Sequence, residues 1–178
     1  MHSLSRVISI PLQEEALPMS SLDVPLTLLD PEGGWINAPV HVHDLRGRPT
    51  LLYFWSELSK TNQEQLPKIK TLLDEFIPKG LQVVGVHVPM DGEDLGHALD
   101  TNDIEAIVKK MGFRHPVAVD DGSMERAYGV EDVPTFLVYD AFGILRLRVT
   151  GEDATNLELR RLLERLTGPE ATTGAFAP

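Results

Sequence analysis

Hydrophobic and polar positions along this chain switch between two periods. Leu51-Leu52-Tyr53-Phe54-Trp55 is a continuous apolar run rich in aromatics, the pattern of a buried central strand. Leu81-Gln82-Val83-Val84-Gly85-Val86-His87-Val88 reads as a second buried strand. Between them, Leu58, Asn62, Gln65, Leu66, Ile69, Leu72, Leu73 and Phe76 recur at three- and four-residue steps and draw one stripe down a helix. Thr61 with Glu64 has the spacing of a capping box, and Ser59 is a second candidate cap. Pro67 lies inside this helix, where it removes a hydrogen bond and predicts a kink. Pro78-Lys79-Gly80 ends it.

Further along, the polar stretch 89–103 predicts a loop with some irregular helix. Ile104, Ile107, Val108 and Met111 mark a short helix closing at Gly112, and Pro116-Val117-Ala118-Val119 is a short strand. Met124, Ala127 and Tyr128 predict one or two helical turns before Gly129. Thr135 to Tyr139 and Ile144 to Val149 flank Asp140-Ala141-Phe142-Gly143 as a hairpin whose second strand alternates and so has one wet face. Thr155 with Glu158 opens a last helix through Leu159, Leu162, Leu163 and Leu166. Upstream, Leu22 to Asp30 fits a short strand, Pro31-Glu32-Gly33-Gly34 a turn, and His41 to Leu45 alternates as a strand does. A strand–helix–strand order demands a right-handed crossover and a parallel pair, to which the hairpin adds antiparallel strands. The expectation is one domain over residues 23–167 with a mixed sheet and helices on both faces. A weakly patterned arm, 1–22, precedes it, and a small polar tail, 168–178, reads as disordered.

Composition narrows the chemistry. The 178 residues carry 16 Lys+Arg against 27 Asp+Glu, a formal net charge of −11. That balance argues against sequence-independent nucleic-acid binding and against adsorption to anionic lipid, both of which need a surplus of cations. The N-terminus lacks the roughly 7–15-residue apolar stretch of a secretory signal, and no window approaches the ~20 apolar residues of a membrane span, so a cytoplasmic location is the expectation. There is no cysteine, which removes any thiolate nucleophile, thiolate metal ligand or disulfide from the chain's own chemistry. His41 and His43 would share one face of a strand as candidate metal ligands, but no third ligand accompanies them and two surface histidines are the better reading. Glu93, Asp94, Asp100 and Asp103 have neither the spacing nor the glycine of a calcium loop and read as a solvated acidic stretch. No glycine-rich phosphate or dinucleotide pattern occurs, and no cofactor or metal is expected.

Asp44-Leu45-Arg46-Gly47-Arg48-Pro49, the apolar run to Trp55, and Ser56 through Pro67 follow one another without a gap. Together they resemble the segment around the redox motif in thioredoxin-like proteins of the TlpA/ResA type. Gly129-Val130-Glu131-Asp132-Val133-Pro134-Thr135-Phe136-Leu137 resembles the loop that carries the cis-proline of those proteins, and Asp140 to Gly143 resembles the turn after it. Val86-His87-Val88-Pro89 and His115-Pro116-Val117 are similar to thioredoxin domains found beside NHL repeats. Alkyl hydroperoxide reductases resemble the chain less around Val133-Pro134-Thr135. The resemblance covers about residues 22–167. It implies an α/β fold, a thioredoxin-like three-layer α/β/α sandwich with a central mixed sheet and an N-terminal extension.

By that register, Ser59 and Asn62 occupy the two cysteine positions of the motif, and Tyr53 stands where thioredoxin proper has a proton-handling acid. A helix N-terminus lowers a thiol's pKa, to ~7 in thioredoxin, but a serine hydroxyl starts far less acidic and gains no comparable reactivity there. Exchange needs sulfur at the attacking and leaving positions, and peroxidase chemistry needs the cysteine oxidation ladder. As a nucleophile, Ser59 would need a histidine base with an orienting acid, and no such motif surrounds it. Ser59 and Thr61 read as helix caps. The expectation is therefore a redox-inert protein that binds a protein or peptide partner or serves as a scaffold. The resemblance implies a groove formed by Trp55, Ser59, Lys60, Thr61, Asn62, Val133, Pro134 and Thr135, with main-chain recognition of an extended segment. The alternative is a non-thiol enzyme or small-molecule binder, for example of a glutathione-type ligand at Ser59. Partner identity and oligomeric state stay open.

Overall fold

The computed structural model describes residues 6–9, 25, 26, 29, 31, 33–57, 60–89, 100–151 and 155–169, with backbone alone at 6–9 and 60–62. Seven strands form one sheet: β1 (Arg6–Ser9), β2 (Trp35–Ile36), β3 (Thr50–Trp55), β4 (Gln82–His87), β5 (Val117–Val119), β6 (Thr135–Tyr139) and β7 (Leu145–Thr150). Their spatial order is β1-β7-β6-β3-β4-β5-β2. β3, β4 and β5 run parallel, and all other pairings are antiparallel. Helix α1 (Lys60–Phe76) makes the crossover from β3 to β4, and α2 (Thr101–Lys110) leads into β5. The helices α3 (Ser123–Ala127) and α4 (Leu157–Thr167) follow β5 and β7. The mixed sheet read from the apolar periods is present, in a thioredoxin-like α/β arrangement.

Strand alternation sorts the core into two layers. Leu51, Tyr53 and Trp55 face a cluster built from Leu66, Ile69, Leu73 and Phe76 of α1, Ile104 and Val108 of α2, and Leu159, Leu162 and Leu163 of α4. Leu52 and Phe54 face the other way, toward Val84, Val86, Met124, Tyr128, Leu26 and Leu45. A register shift at Val138/Tyr139 turns Leu145 into the second layer while Leu147 and Val149 stay in the first. Pro67 stands within α1, and the Thr71 hydroxyl donates to its carbonyl at 3.0 Å. No helix among the described residues is long and apolar enough to cross a membrane.

Several local expectations give way to hydrogen bonding that the periods do not encode. Residues 42–45 form a 3-10 helix, not a strand, because the Asp44 N–H closes on the His41 carbonyl at 2.9 Å and the Asp44 carboxylate accepts the His41 N–H at 3.3 Å. Residues 6–9 of the weakly patterned arm are a sheet edge, paired with β7 from Arg6–Thr150 to Ser9–Leu147. Of the strand expected over Leu22 to Asp30, only 25, 26 and 29 are described. There the Leu29 N–H turns back to the Leu26 carbonyl at 3.3 Å. Helix α2 begins earlier than its apolar stripe, since Asp100 caps it reciprocally with Asp103. Those two acids are solvent-exposed, as expected, but cap the helix rather than lie in a loop, whereas Glu93 and Asp94 lie outside the described residues. Thr61 lies within α1 and so is not its N-cap. Asn156, rather than Thr155, caps α4, its Oδ1 accepting the N–H groups of Glu158 and Leu159 at 2.9 and 3.1 Å. The expected tail falls outside the described residues from 170 onward.

Gly85 shows how tightly the first layer is packed. A Cβ at this position would lie 2.9 Å from the Tyr53 hydroxyl and 3.0 Å from its ring, in a side chain with no exposed surface. Gly85→Ala is expected to cost about 1–3 kcal/mol through overpacking, read as a lower urea midpoint; an unchanged midpoint would refute this packing account.

Candidate functional site

The site is assembled at one end of the sheet. β3 and β4 are parallel and in register, so Trp55 and His87 are partners at their carboxyl ends. β6 enters from the other side, pairing Thr135 with Phe54 and placing Pro134 beside the last residues of β3. The crevice outside the carboxyl ends of parallel strands is the usual position for ligands in open α/β sheets.

Trp55 is fully buried, and its ring meets the His87 ring edge-on with centroids 5.0 Å apart. Its indole N–H has no partner among the described residues. His87 is also buried, and its Nε2 is bonded to the Glu57 carboxylate. Burial raises the pKa of that carboxyl. The His87 hydrogen bond and charge, with a backbone hydrogen bond, outweigh burial and hold it below the usual carboxylate range. The Gln63 side chain donates to the Glu57 carbonyl from α1. Glu57 thus ties the chain between β3 and α1 to both β4 and the helix. This imidazole–carboxylate pair is the acid–histidine arrangement that the sequence around Ser59 does not reveal. Its partners stand 30 residues apart on separate elements. The one hint in the sequence is a histidine closing a mostly apolar strand.

The facing loop is held from several directions. The Val133–Pro134 peptide bond is cis, as the resemblance implies. The Val133 N–H donates to Asp132 Oδ1 at 2.9 Å, and the Thr135 hydroxyl donates to the Asp132 carbonyl at 2.6 Å. The Pro134 carbonyl accepts the Gly151 N–H at 3.0 Å. From β7, Arg148 donates to the Tyr128 carbonyl at 2.8 Å and to the Gly129 carbonyl. Arg148 is a positioning residue that the alternation of β7 marks only as half-exposed.

Of the residues expected to form a groove, Trp55, Val133, Pro134 and Thr135 come together at this sheet end, but all four are buried, Trp55 and Thr135 with no exposed surface, so their side chains underlie the site rather than line an open groove. The backbone of Lys60, Thr61 and Asn62 forms the first turn of α1. Their side chains, and the whole of Ser59, lie outside the described residues. His41 and His43 are exposed, with rings stacked at 5.6 Å on the 3-10 helix rather than aligned on a strand. Among the described residues, no group of three or more His, Asp or Glu is placed to hold a metal ion.

The sequence and the fold have counterparts among known proteins. The AhpC/TSA family profile matches residues 23–148. The thiol-disulfide oxidoreductase YkuV of Bacillus subtilis is 32% identical over 124 residues, covering 68% of this chain and 80% of that one. The thiol-disulfide oxidoreductase ResA of Bacillus thuringiensis is 26% identical over 129 residues, covering 72% of this chain and 69% of that one. A thioredoxin-like protein solved in solution in its oxidized form superposes with a TM-score of 0.70 at 29% identity, over 83% of this chain and 97% of that one.

One layer beneath Trp55, Tyr53 meets His115 at 2.8 Å between the phenol oxygen and Nε2. Burial pushes the Tyr53 phenol far above its usual range. It also pushes the His115 imidazole down to about 4 from 6.5, aided by the charge of Lys70. The unfolded chain therefore takes up this proton near pH 6.5, and the folded chain resists until about 4. The stabilisation is complete above pH 6.5 and is lost as pH falls toward 4. Unfolding free energy is expected to drop by up to about 3 kcal/mol across that window, as followed by urea melts at stepped pH. His115→Gln should flatten the slope; an unaltered slope would assign the titration elsewhere.

Proposed function

The chain belongs to the AhpC/TSA family, among its thioredoxin-like thiol-disulfide oxidoreductases, and we propose that it retains the scaffold of that family without its reaction. The single observation that carries this reading is the count of zero cysteines in the whole sequence. A dithiol gives up two electrons and two protons as one S–S bond forms, passing through a mixed disulfide. With Ser59 and Asn62 at the positions matched to the motif cysteines, this chain has no sulfur to attack with, none to resolve with and nowhere to hold the electron pair. The methionines are thioethers and form no disulfide.

What remains at the sheet end is a capacity to grip. The backbone of residues 133–135 stands there over the buried Trp55, held in place by Arg148 and by the Glu57–His87 pair. This arrangement supports strand-type recognition of an extended protein segment, in which main-chain hydrogen bonds supply affinity and neighbouring side chains supply selectivity. Such binding needs no sulfur. The protein is on this reading a redox-inert binding or scaffold module.

The redox half is tested by insulin reduction with dithiothreitol. The unmodified chain is expected to precipitate insulin at the rate of the protein-free control, whereas Ser59→Cys with Asn62→Cys should exceed it. Turnover by the unmodified chain would overturn the proposal. For the binding half, affinity capture from the source cell should return a partner in near-stoichiometric amount, and a chain that returns alone would count against it.

A further inference from the structure

The C-terminal half of α1 and the loop from Gly112 to His115 enclose an open groove of about 510 Å3. That volume is within the range of about 300–1,000 Å3 typical of small-molecule sites. The groove is distinct from the sheet-end site. Lys70 lies ten residues along α1 from its start at Lys60, roughly 15 Å at the helical rise.

Its walls combine apolar surface with a surplus of donors. Ile77, 41% exposed, and Pro78 supply the accessible apolar part, over the buried Leu73 and Phe113. Lys70 and Asp74, on the same wall, neutralise each other through two contacts of 2.9 and 2.7 Å. Arg114 makes no ion pair among the described residues, so among them the groove keeps one positive charge without a carboxylate partner.

His115 adds a directional donor. It is about nine-tenths buried, and its ring packs against Phe113 and Tyr53. The Tyr53 hydroxyl has no other acceptor among the described residues, so donation to His115 Nε2 is the arrangement that satisfies its hydrogen. The neutral ring then carries its own proton on Nδ1, which has no partner among the described residues. The loop is rigidly presented, since the Asn37 side-chain amide donates to the carbonyls of both Phe113 and His115 at 3.2 and 2.7 Å. An N–H donor and a free guanidinium over an apolar wall require an acceptor-rich, negatively charged head and a compact apolar body.

We propose that this groove binds a small carboxylic acid with an apolar body of about the size of one aromatic ring. The carboxylate takes the Arg114 guanidinium and the His115 Nδ1–H, and the body lies on Ile77 and Pro78. Charge-assisted pairing to Arg supplies the selectivity for the head.

Benzoate is the probe, titrated into the full chain by calorimetry and by 1H–13C NMR of the histidine rings. Benzylamine keeps the body and reverses the charge, and acetate keeps the head and loses the body. Saturable benzoate binding is expected, at least about 10-fold tighter than either comparator. The His115 ring resonances should shift with the same saturation curve. Arg114→Gln, at an exposed position without a structural partner, should weaken benzoate by about 10-fold or more while leaving the fold intact. Equal binding of benzoate and benzylamine, an unaffected Arg114→Gln variant, or resonance shifts confined to His41 and His43 would each overturn the proposal.

Discussion

Burial of one strand governs this molecule. All six residues of β3 are inaccessible, with pairing strands on both edges and a packed layer on each face. A strand in that position cannot slip by one residue without exchanging Leu51, Tyr53 and Trp55 for Leu52 and Phe54, which would place two mismatched sets of side chains in the two layers. Its register therefore sets the rest. His87 is placed opposite Trp55, Thr135 opposite Phe54, and Gly85 under the Tyr53 ring. Everything at the carboxyl end of the sheet inherits its position from that constraint.

The consequence for function is a separation between scaffold and chemistry. Relatives that share this fold carry out thiol–disulfide exchange by name, and the cis peptide at Pro134 and the proline-containing helix α1 are retained here. The reactive atoms are not. The helix N-terminus that favours a thiolate is a property of aligned peptide dipoles and persists whatever side chain occupies it, but it acts on an acidity that serine does not have. The sheet end also holds a buried imidazole–carboxylate pair and an indole N–H. The pair ties the chain between β3 and α1 to β4 and to the helix.

A second polar pair lies deeper, where Tyr53 and His115 satisfy each other between aromatic neighbours. Both groups are neutral at ordinary pH, so the core tolerates them without an ion pair and its desolvation penalty. His115 also lines the groove beside α1. The sheet thus presents polar chemistry at two places, one at the strand ends and one at the side of the long helix.

Much of this was legible in the residues alone. The aromatic run of β3, the stripe of α1 and the hairpin of β6 and β7 are periodic signals, and periodicity survives because one face of each element must be buried. The absence of cysteine is more secure still, since it can be read from a list of residues without any geometry. The local caps and short turns were less legible. Asn156 displaces Thr155, and residues 42–45 wind up rather than extend, because competing hydrogen bonds of similar energy are decided by where the flanking elements are pinned. The partnerships of Glu57 with His87, Tyr53 with His115 and Arg148 with the carbonyls after α3 belong to tertiary structure alone. Each joins residues 19 to 62 positions apart. A side chain's sequence neighbours carry no record of the partner that folding brings to it, so only the closed sheet decided them.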